Sequence, residues 1–283
     1  MKSVTPAIVS GLVLATGLLG QAPKVTFPAL SPVCTLKQTV GLTDVEIVYS
    51  RPSAKGRKIF GGLVPYGEVW RTGANAATRI TFSTAVKLNG ADVPAGTYGL
   101  YTIPGETAWT VILSKDSKLW GAYAYDPKND FVRFQAAPVA LEQPYETFTI
   151  GIGDLREESA TLNLVWEKTR VPIKLEVSVV GPVTAQIEAA MASPGKKPYA
   201  QAAQFYLEHN LDLDKALGWV DAALAEKPAF NVFYLKARIL AKKGDKEGAI
   251  AAANRSIELA AEQQGPVKEE YTRLDQDLIS SLR

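Results

Sequence analysis

The chain of 283 residues carries one cysteine, one histidine and two methionines. A single cysteine, Cys34, forbids an intramolecular disulfide even in an oxidising compartment. His209 lies in a helix-patterned C-terminal part and Cys34 ahead of the strand-patterned part, so an ordinary Ser-His-Asp or Cys-His site has no material. A zinc site fails for the same reason, and His209, between Glu208 and Asn210, reads as a residue at a helix C-terminus. No GxxxxGK[ST] loop and no helix-opening GxGxxG is present, so no cofactor and no metal are expected. Charge of one sign is missing too: 31 basic against 29 acidic residues leave +2. That removes the electrostatic footprint of a nucleic-acid partner.

Long apolar runs are scarce. The one run, Ala7 to Leu19, is shorter than the roughly 20 residues that cross a bilayer, so no membrane span is expected. With Lys2 before it and Gly20, Gln21 and Ala22 after it, the run reads as an export signal over residues 1–22. Pro23 is a poor residue just past a cleaved bond, so the cleavage site stays open. A periplasmic or secreted protein follows. Cys34, preceded by Ser31, Pro32 and Val33 and far beyond the apolar run, reads as a small packed residue rather than a lipid anchor.

What is present is a composition of ordinary globular kind, 47% hydrophobic and 21% charged, in a length that favours two domains. From about Leu36 to Val179 the period is two. Val45, Ile47 and Tyr49 alternate with Glu46 and Val48, and Asn89-Gly90 between two short β-runs is a strong hairpin signal because both turn positions need positive φ. Thr97 to Ile103 and Ala108 to Leu113 follow, which predicts a three-strand meander. Phe131 to Phe134 and the alternation at Phe148, Ile150 and Ile152 add two strands. Leu162, Leu164 and Trp166 share one face, and Val171, Ile173, Leu175 and Val177 share another. The pattern predicts an antiparallel β-sandwich or jelly-roll-like domain over residues 31–180.

After Gly181-Pro182 the period becomes about 3.6 and alanine dominates. Helices are predicted from Thr184 to Ala192, Tyr199 to Glu208, Leu213 to Glu226, Phe230 to Lys243, Lys246 to Gln264 and Val267 to Leu282, with Asp212 and Asp245 as N-caps. Lys215-Ala216-Leu217 with Ala223-Leu224 aligns with Gly248-Ala249-Ile250 and Ser256-Ile257, close to the roughly 34-residue period of tetratricopeptide units. Residues 184–283 therefore resemble a tetratricopeptide-like helical-hairpin repeat domain. Phe233, Ala237, Leu240, Gly244, Ala249 and Ala253 fall on that pattern.

Residues 49–75 interrupt the strands with a long loop, a kind of segment that is usually functional or disordered. Arg51, Lys55, Arg57, Lys58 and Arg71 lie in it among Phe60, Tyr66 and Trp70. Guanidinium forks suit carboxylate or phosphate, and aromatic faces stack on rings. The loop thus predicts a site for a small anionic or saccharide ligand: Arg51, Arg57 and Arg71 as a clamp, Tyr66 and Trp70 as stacking faces, Asn75 as a hydrogen-bonding group. Against it stands the reading that the cations are solvated and the aromatics anchor the loop on the sheet.

This same stretch, GLTDVEIVYSRPSAKGRKIFGGLVPYGEVWRTGANAATRITFS, together with VPAGTYGLYTIPGETAWTVILSK and SATLNLVWEKTRVPI, resembles the uncharacterised bacterial family catalogued as domain of unknown function 2911. The resemblance covers roughly Ser31 to Val177. It implies an exported bacterial protein, with a repeat tail of this kind in some members, and carries no function.

Three readings follow. The leading one is a non-enzymatic binding module of the cell envelope whose helical tail contacts a protein partner. The second is a glycan-acting hydrolase in which Glu68 works with another carboxylate among Glu106, Asp126, Asp130 and Glu146. The third is a purely structural or interaction protein with the loop as a plug. Trp109 and Trp166 read as core and Trp120, beside Gly121, as the exposed tryptophan.

Overall fold

The computed structural model describes residues 26–283. The export-signal reading of residues 1–22 lies outside the described residues. Ten strands come first: β1 Val33–Val40, β2 Thr43–Ser50, β3 Thr78–Phe82, β4 Val86–Leu88, β5 Ala91–Val93, β6 Gly96–Ile103, β7 Trp109–Ser114, β8 Asp130–Ala136, β9 Val139–Gly153 and β10 Ser159–Val177. They form two antiparallel sheets, one in the order β1-β2-β3-β6-β7-β8 and one in the order β5-β4-β10-β9. The inward sides of both sheets meet in one core that includes Ile47, Ile80, Leu100, Val111, Trp109, Phe148, Leu164, Trp166 and Ile173. The chain is a β-sandwich followed by helices, as the change of period indicates.

Three details depart from the sequence pattern. Cys34 lies within β1, opposite Tyr49, and not ahead of the first strand, because the β1–β2 hairpin closes through Gly41 and pairs Val33 with Ser50. The Asn89-Gly90 hairpin forms with φ of 46° and 84° at its two corners. Its strands β4 and β5 belong to the smaller sheet, however, and the chain changes sheets at Pro94–Gly96 before β6 pairs with β3 and β7. The meander is therefore split between the two layers.

The third departure is β10. Its even-numbered apolar residues Leu162, Leu164 and Trp166 and its odd-numbered Val171, Ile173, Leu175 and Val177 all point into the same core. Register shifts between Val165 and Thr169, with Glu167 at φ 51°, move the inward parity by one residue. The extra residues of this irregularity are on β9, which runs from Thr149 to Ala140 while β10 runs only from Val165 to Thr169, and the left-handed backbone at Glu167 turns β10 over. One 19-residue strand results where the pattern reads as two.

Six helices follow: α1 Val180–Ala192, α2 Tyr199–Glu208, α3 Leu213–Glu226, α4 Phe230–Lys243, α5 Lys246–Ala260 and α6 Pro266–Leu282. The Gly181-Pro182 pair lies inside the first turn of α1 and does not precede it; a proline there loses no helical hydrogen bond, since the first N–H groups have no intrahelical acceptor. Asp212 accepts from the N–H groups of Asp214 and Lys215, Asp245 accepts from that of Gly248, and Gly244 closes α4 at φ 84°. α2 with α3 and α4 with α5 form successive hairpins, and α6 packs on α4 and α5. No helix among the described residues is long and apolar enough to cross a membrane.

Candidate functional site

The 51–77 loop is ordered by its apolar residues. Ile59, Phe60, Val64 and Trp70 are buried, and Trp70, 8% exposed, lies parallel to Trp166 at 5.9 Å between centroids and edge-on to Phe60, Trp109 and Phe148. Its indole Nε1 donates to the Gly73 carbonyl. Trp70 is a core residue, and the stacking role expected of it is occupied by protein rings.

The other expected clamp residues separate in the same way. Arg51 donates from Nε to the Phe148 carbonyl and from Nη2 to Thr149 Oγ1, tying β2 to the opposite sheet. Arg57 turns back on its own loop, donating to the carbonyls of Ala54 and Ser53. Asn75, at φ 59°, donates to the Ser31 carbonyl and to Ser50 Oγ. Tyr66 is exposed, and Arg71 is half-buried with its Nε enclosed and without a partner. Arg51, Arg57 and Trp70 therefore do not converge on one ligand, because the backbone carbonyls of a long loop and the core take up their groups first, whereas the Arg71 guanidinium is not taken up in this way.

Three of the candidate carboxylates are engaged and two, Glu68 and Glu106, are exposed without a hydrogen bond or ion pair among the described residues. Glu146 accepts from the Lys55 N–H, Asp126 caps the turn at Pro127–Asn129, and Asp130 is held by Arg133 and by the Tyr125 hydroxyl at 2.8 Å. Glu68 is exposed. Burial, then the Asp130 charge, pushes the Tyr125 phenol up to about 12, so it stays protonated and donates to Asp130. Among the described residues no group of three His, Cys, Asp or Glu side chains could hold a metal.

A different set of polar groups faces an opening. On the outer side of the six-stranded sheet, Val48, Arg79, Gly99 and Ser114 form one row across β2, β3, β6 and β7. Segment 115–126 lies over this face: the Ala77 N–H donates to the Leu119 carbonyl, the Gly121 N–H to the Asn75 carbonyl, and Leu119, Ala122 and Tyr125 pack on Tyr101 and Ile112. Gly99 makes the approach feasible, since a Cβ there would stand 2.6 Å from the Asp116 carbonyl oxygen.

Between this segment and the ends of β1 and β2 is a cleft of about 190 Å³, lined by Val33, Val48, Ser50, Ala77, Leu119 and, as its charged groups, Arg79 and Lys118. No carboxylate lines it. Among the described residues neither Arg79 nor Lys118 makes a side-chain hydrogen bond or ion pair, a state they share with exposed lysines such as Lys58 and Lys115, whereas Lys37, Lys87 and Lys236 are each matched by an acid. Two uncompensated cations over an apolar floor make a positive potential in a partly desolvated space.

The pairing of Trp70 with Thr102 brings Arg71 to the register position beside Tyr101 on this same outer face, and Arg71 Nη1 lies 3.7 Å from where a Gly121 Cβ would stand. Tyr101 is fully buried with its hydroxyl unpartnered, and burial together with Asp116 pushes its phenol up to about 12. Trp120 and Tyr123, on the covering segment, are 68% and 87% exposed. The sequence carries no signal for Arg79, because a polar residue at an outward position of an antiparallel strand, as in Thr-Arg-Ile-Thr-Phe, is the ordinary pattern of a sheet with one solvated face. Lys118 has none either, because only the fold of segment 115–126 brings it to the wall of the cleft.

The fold defines a β-sandwich protein with a helical tail and a small basic cleft on the outside of its larger sheet. The chain belongs to the family described as Protein of unknown function (DUF2911), whose model matches residues 31–175. That match spans the sandwich and ends before the helices. No curated protein and no solved structure matches the chain.

Proposed function

We propose that the protein is an exported, non-enzymatic binding module that takes a small anionic ligand in the cleft beneath segment 115–126, with the helical tail serving contact with a protein partner. The observation that carries this reading is the pair Arg79 and Lys118, both unmatched by an acid in the same cleft. A volume of about 190 Å³ accommodates roughly six water molecules, the size of a carboxylate or phosphate with a few attached atoms. Binding is favoured over hydrolysis because no carboxylate lines the cleft and three of the partners considered for Glu68, namely Glu146, Asp126 and Asp130, already hold turns and strands together. Export to the periplasm or beyond rests on the sequence of residues 1–22 and is tested by fractionating cells that express the full chain.

The test of the cleft is thermal shift and calorimetry with phosphate, sugar phosphates and small carboxylates. A saturating anion should stabilise the wild type, by about 2.7 kcal/mol at a hundredfold excess over Kd, and weaken with added salt. Arg79→Ala should abolish the effect and Lys118→Ala reduce it. No stabilisation by any anion would overturn the reading and leave the sandwich as a structural domain.

A further inference from the structure

Beneath segment 115–126 the fold leaves a hydroxyl with nothing to bond. Tyr101 on β6 is fully buried and its Oη has no partner among the described residues. Its ring leans along the strand over Gly99, with Cε2 2.9 Å from where a Gly99 Cβ would stand, and the Asp116 carbonyl oxygen closes the same spot at 2.6 Å. Gly99 is in turn the Cα partner of Arg79 on β3. Opposed residues present their side chains on one face of a sheet, so the phenol and the arginine of the cleft occupy neighbouring positions on the outer face. Leu119 both packs on Tyr101 and lines the cleft, so the covering segment is what parts the phenol from the opening.

A buried hydroxyl without a partner costs folding free energy. Arg71 Nε, on the same face, is enclosed without a partner too, and Arg71 Nη1 lies 3.7 Å from where a Gly121 Cβ would stand. Uncovering this face would give both groups a partner. Between residues 116 and 124, two backbone bonds tie the segment to the body, from the Ala77 N–H to the Leu119 carbonyl and from the Gly121 N–H to the Asn75 carbonyl. We propose that Tyr101 is a third ligand-holding group of the cleft and that segment 115–126 is a flap over it. An anion seated on Arg79 lifts residues 116–119 from Gly99 and accepts a hydrogen bond from the Tyr101 hydroxyl, while Lys118 travels with the flap and stays over the anion. A ligand shifts such an equilibrium only by an interaction made in one state alone, and the bond to Tyr101 is made only in the open one. Asp116, whose charge reaches the phenol, leaves the site with the flap. The inference rests on the reading that the cleft takes an anion, and adds a residue and a movement.

The experiment titrates the full chain and its Tyr101→Phe variant with inorganic phosphate by calorimetry, records the ligand-free melting temperature of each, and follows amide hydrogen exchange by nuclear magnetic resonance. Tyr101→Phe should bind phosphate roughly tenfold more weakly, the loss of one hydrogen bond to a charged group, while melting at a higher temperature without ligand. A hydroxyl with a structural role alone would change the melting temperature and leave the affinity as it was. In the wild type, phosphate should speed exchange at the Ala77 and Gly121 amides while slowing it in the sandwich core. Equal phosphate affinity for the two proteins, or Ala77 and Gly121 amides that keep or gain protection on binding, overturns the inference while the anion site stands. Absence of phosphate binding to the wild type overturns the inference and removes the anion site with it.

Discussion

At Trp70 and Trp120 the same residue type meets opposite fates. Trp70 sits in a loop dense with cations, the setting of a ligand platform, yet its ring fills the end of the sandwich between Trp166 and Phe148. Local composition does not reveal this, because the core that receives it comes from β7, β9 and β10. Trp120 was legible as exposed from its Gly121 neighbour, but its bridge to Ala76 was not, since the two meet only through the fold of segment 115–126. Trp70→Ala should cost about 3–5 kcal/mol of unfolding free energy by denaturant titration, as for other buried large aromatics. Tyr101→Phe should do the reverse. Its hydroxyl is buried without a partner, so its removal relieves a desolvation penalty and should stabilise the chain by about 1 kcal/mol.

Asp275 on α6 is a second buried polar residue of this kind. It is fully buried with neither oxygen partnered, and burial pushes its carboxyl up to about 6, an effect that the nearby Ser256 hydroxyl reduces. In the unfolded chain the group titrates near 4. The folded state therefore favours the protonated form: this contribution is fully present below about pH 4 and is lost as pH rises through about 6. Asp275→Asn should raise the melting temperature at pH 8, by an equivalent on the order of 2 kcal/mol, and leave it unchanged at pH 4. A melting-temperature gain that is the same at both pH values would show that the carboxyl does not titrate in this range.

At the scale of elements, the helices were the most legible part. Their periodicity, the Asp212 and Asp245 caps and the Gly244 stop are local signals, and each is realised in the structure. Asp245→Ala should cost about 1 kcal/mol, read from the denaturation midpoint of the chain. The strands were legible as strands but not in their assignment to sheets. Nothing local to Val86–Val93 says that it pairs with β10, because that partner lies far along the chain and the Asn89 side chain joins the two by accepting from the Lys174 N–H at 2.7 Å. The register shift at β10 was legible only as a change of parity between Trp166 and Val171. That change carries the information of an irregular strand when one core is assumed, and of two strands when it is not.

At the scale of the whole molecule the sandwich and the tail are joined by packing as well as by the chain. Phe205 and Val183 lie against both the sandwich core and the first helical core. His209 Nε2 is 3.0 Å from Glu157 Oε1, and Glu158 accepts from the N–H groups of Val179 and Val180. The boundary placed between 180 and 184 by the change of period is thus a seam with shared apolar contacts. Wild-type unfolding should follow one transition by near-ultraviolet and far-ultraviolet circular dichroism alike. Phe205→Ala should separate the two signals, with the helical part melting first.

The five tryptophans also divide the molecule optically. Trp70, Trp109 and Trp166 are buried within one cluster, Trp219 is half-buried in α3, and Trp120 alone faces water. Indoles packed this closely exchange excitation and share strong near-ultraviolet dichroism, while a solvated indole emits at longer wavelength. The protein therefore reports on the integrity of its core and on the surroundings of its rim in two separate colours, without any added label.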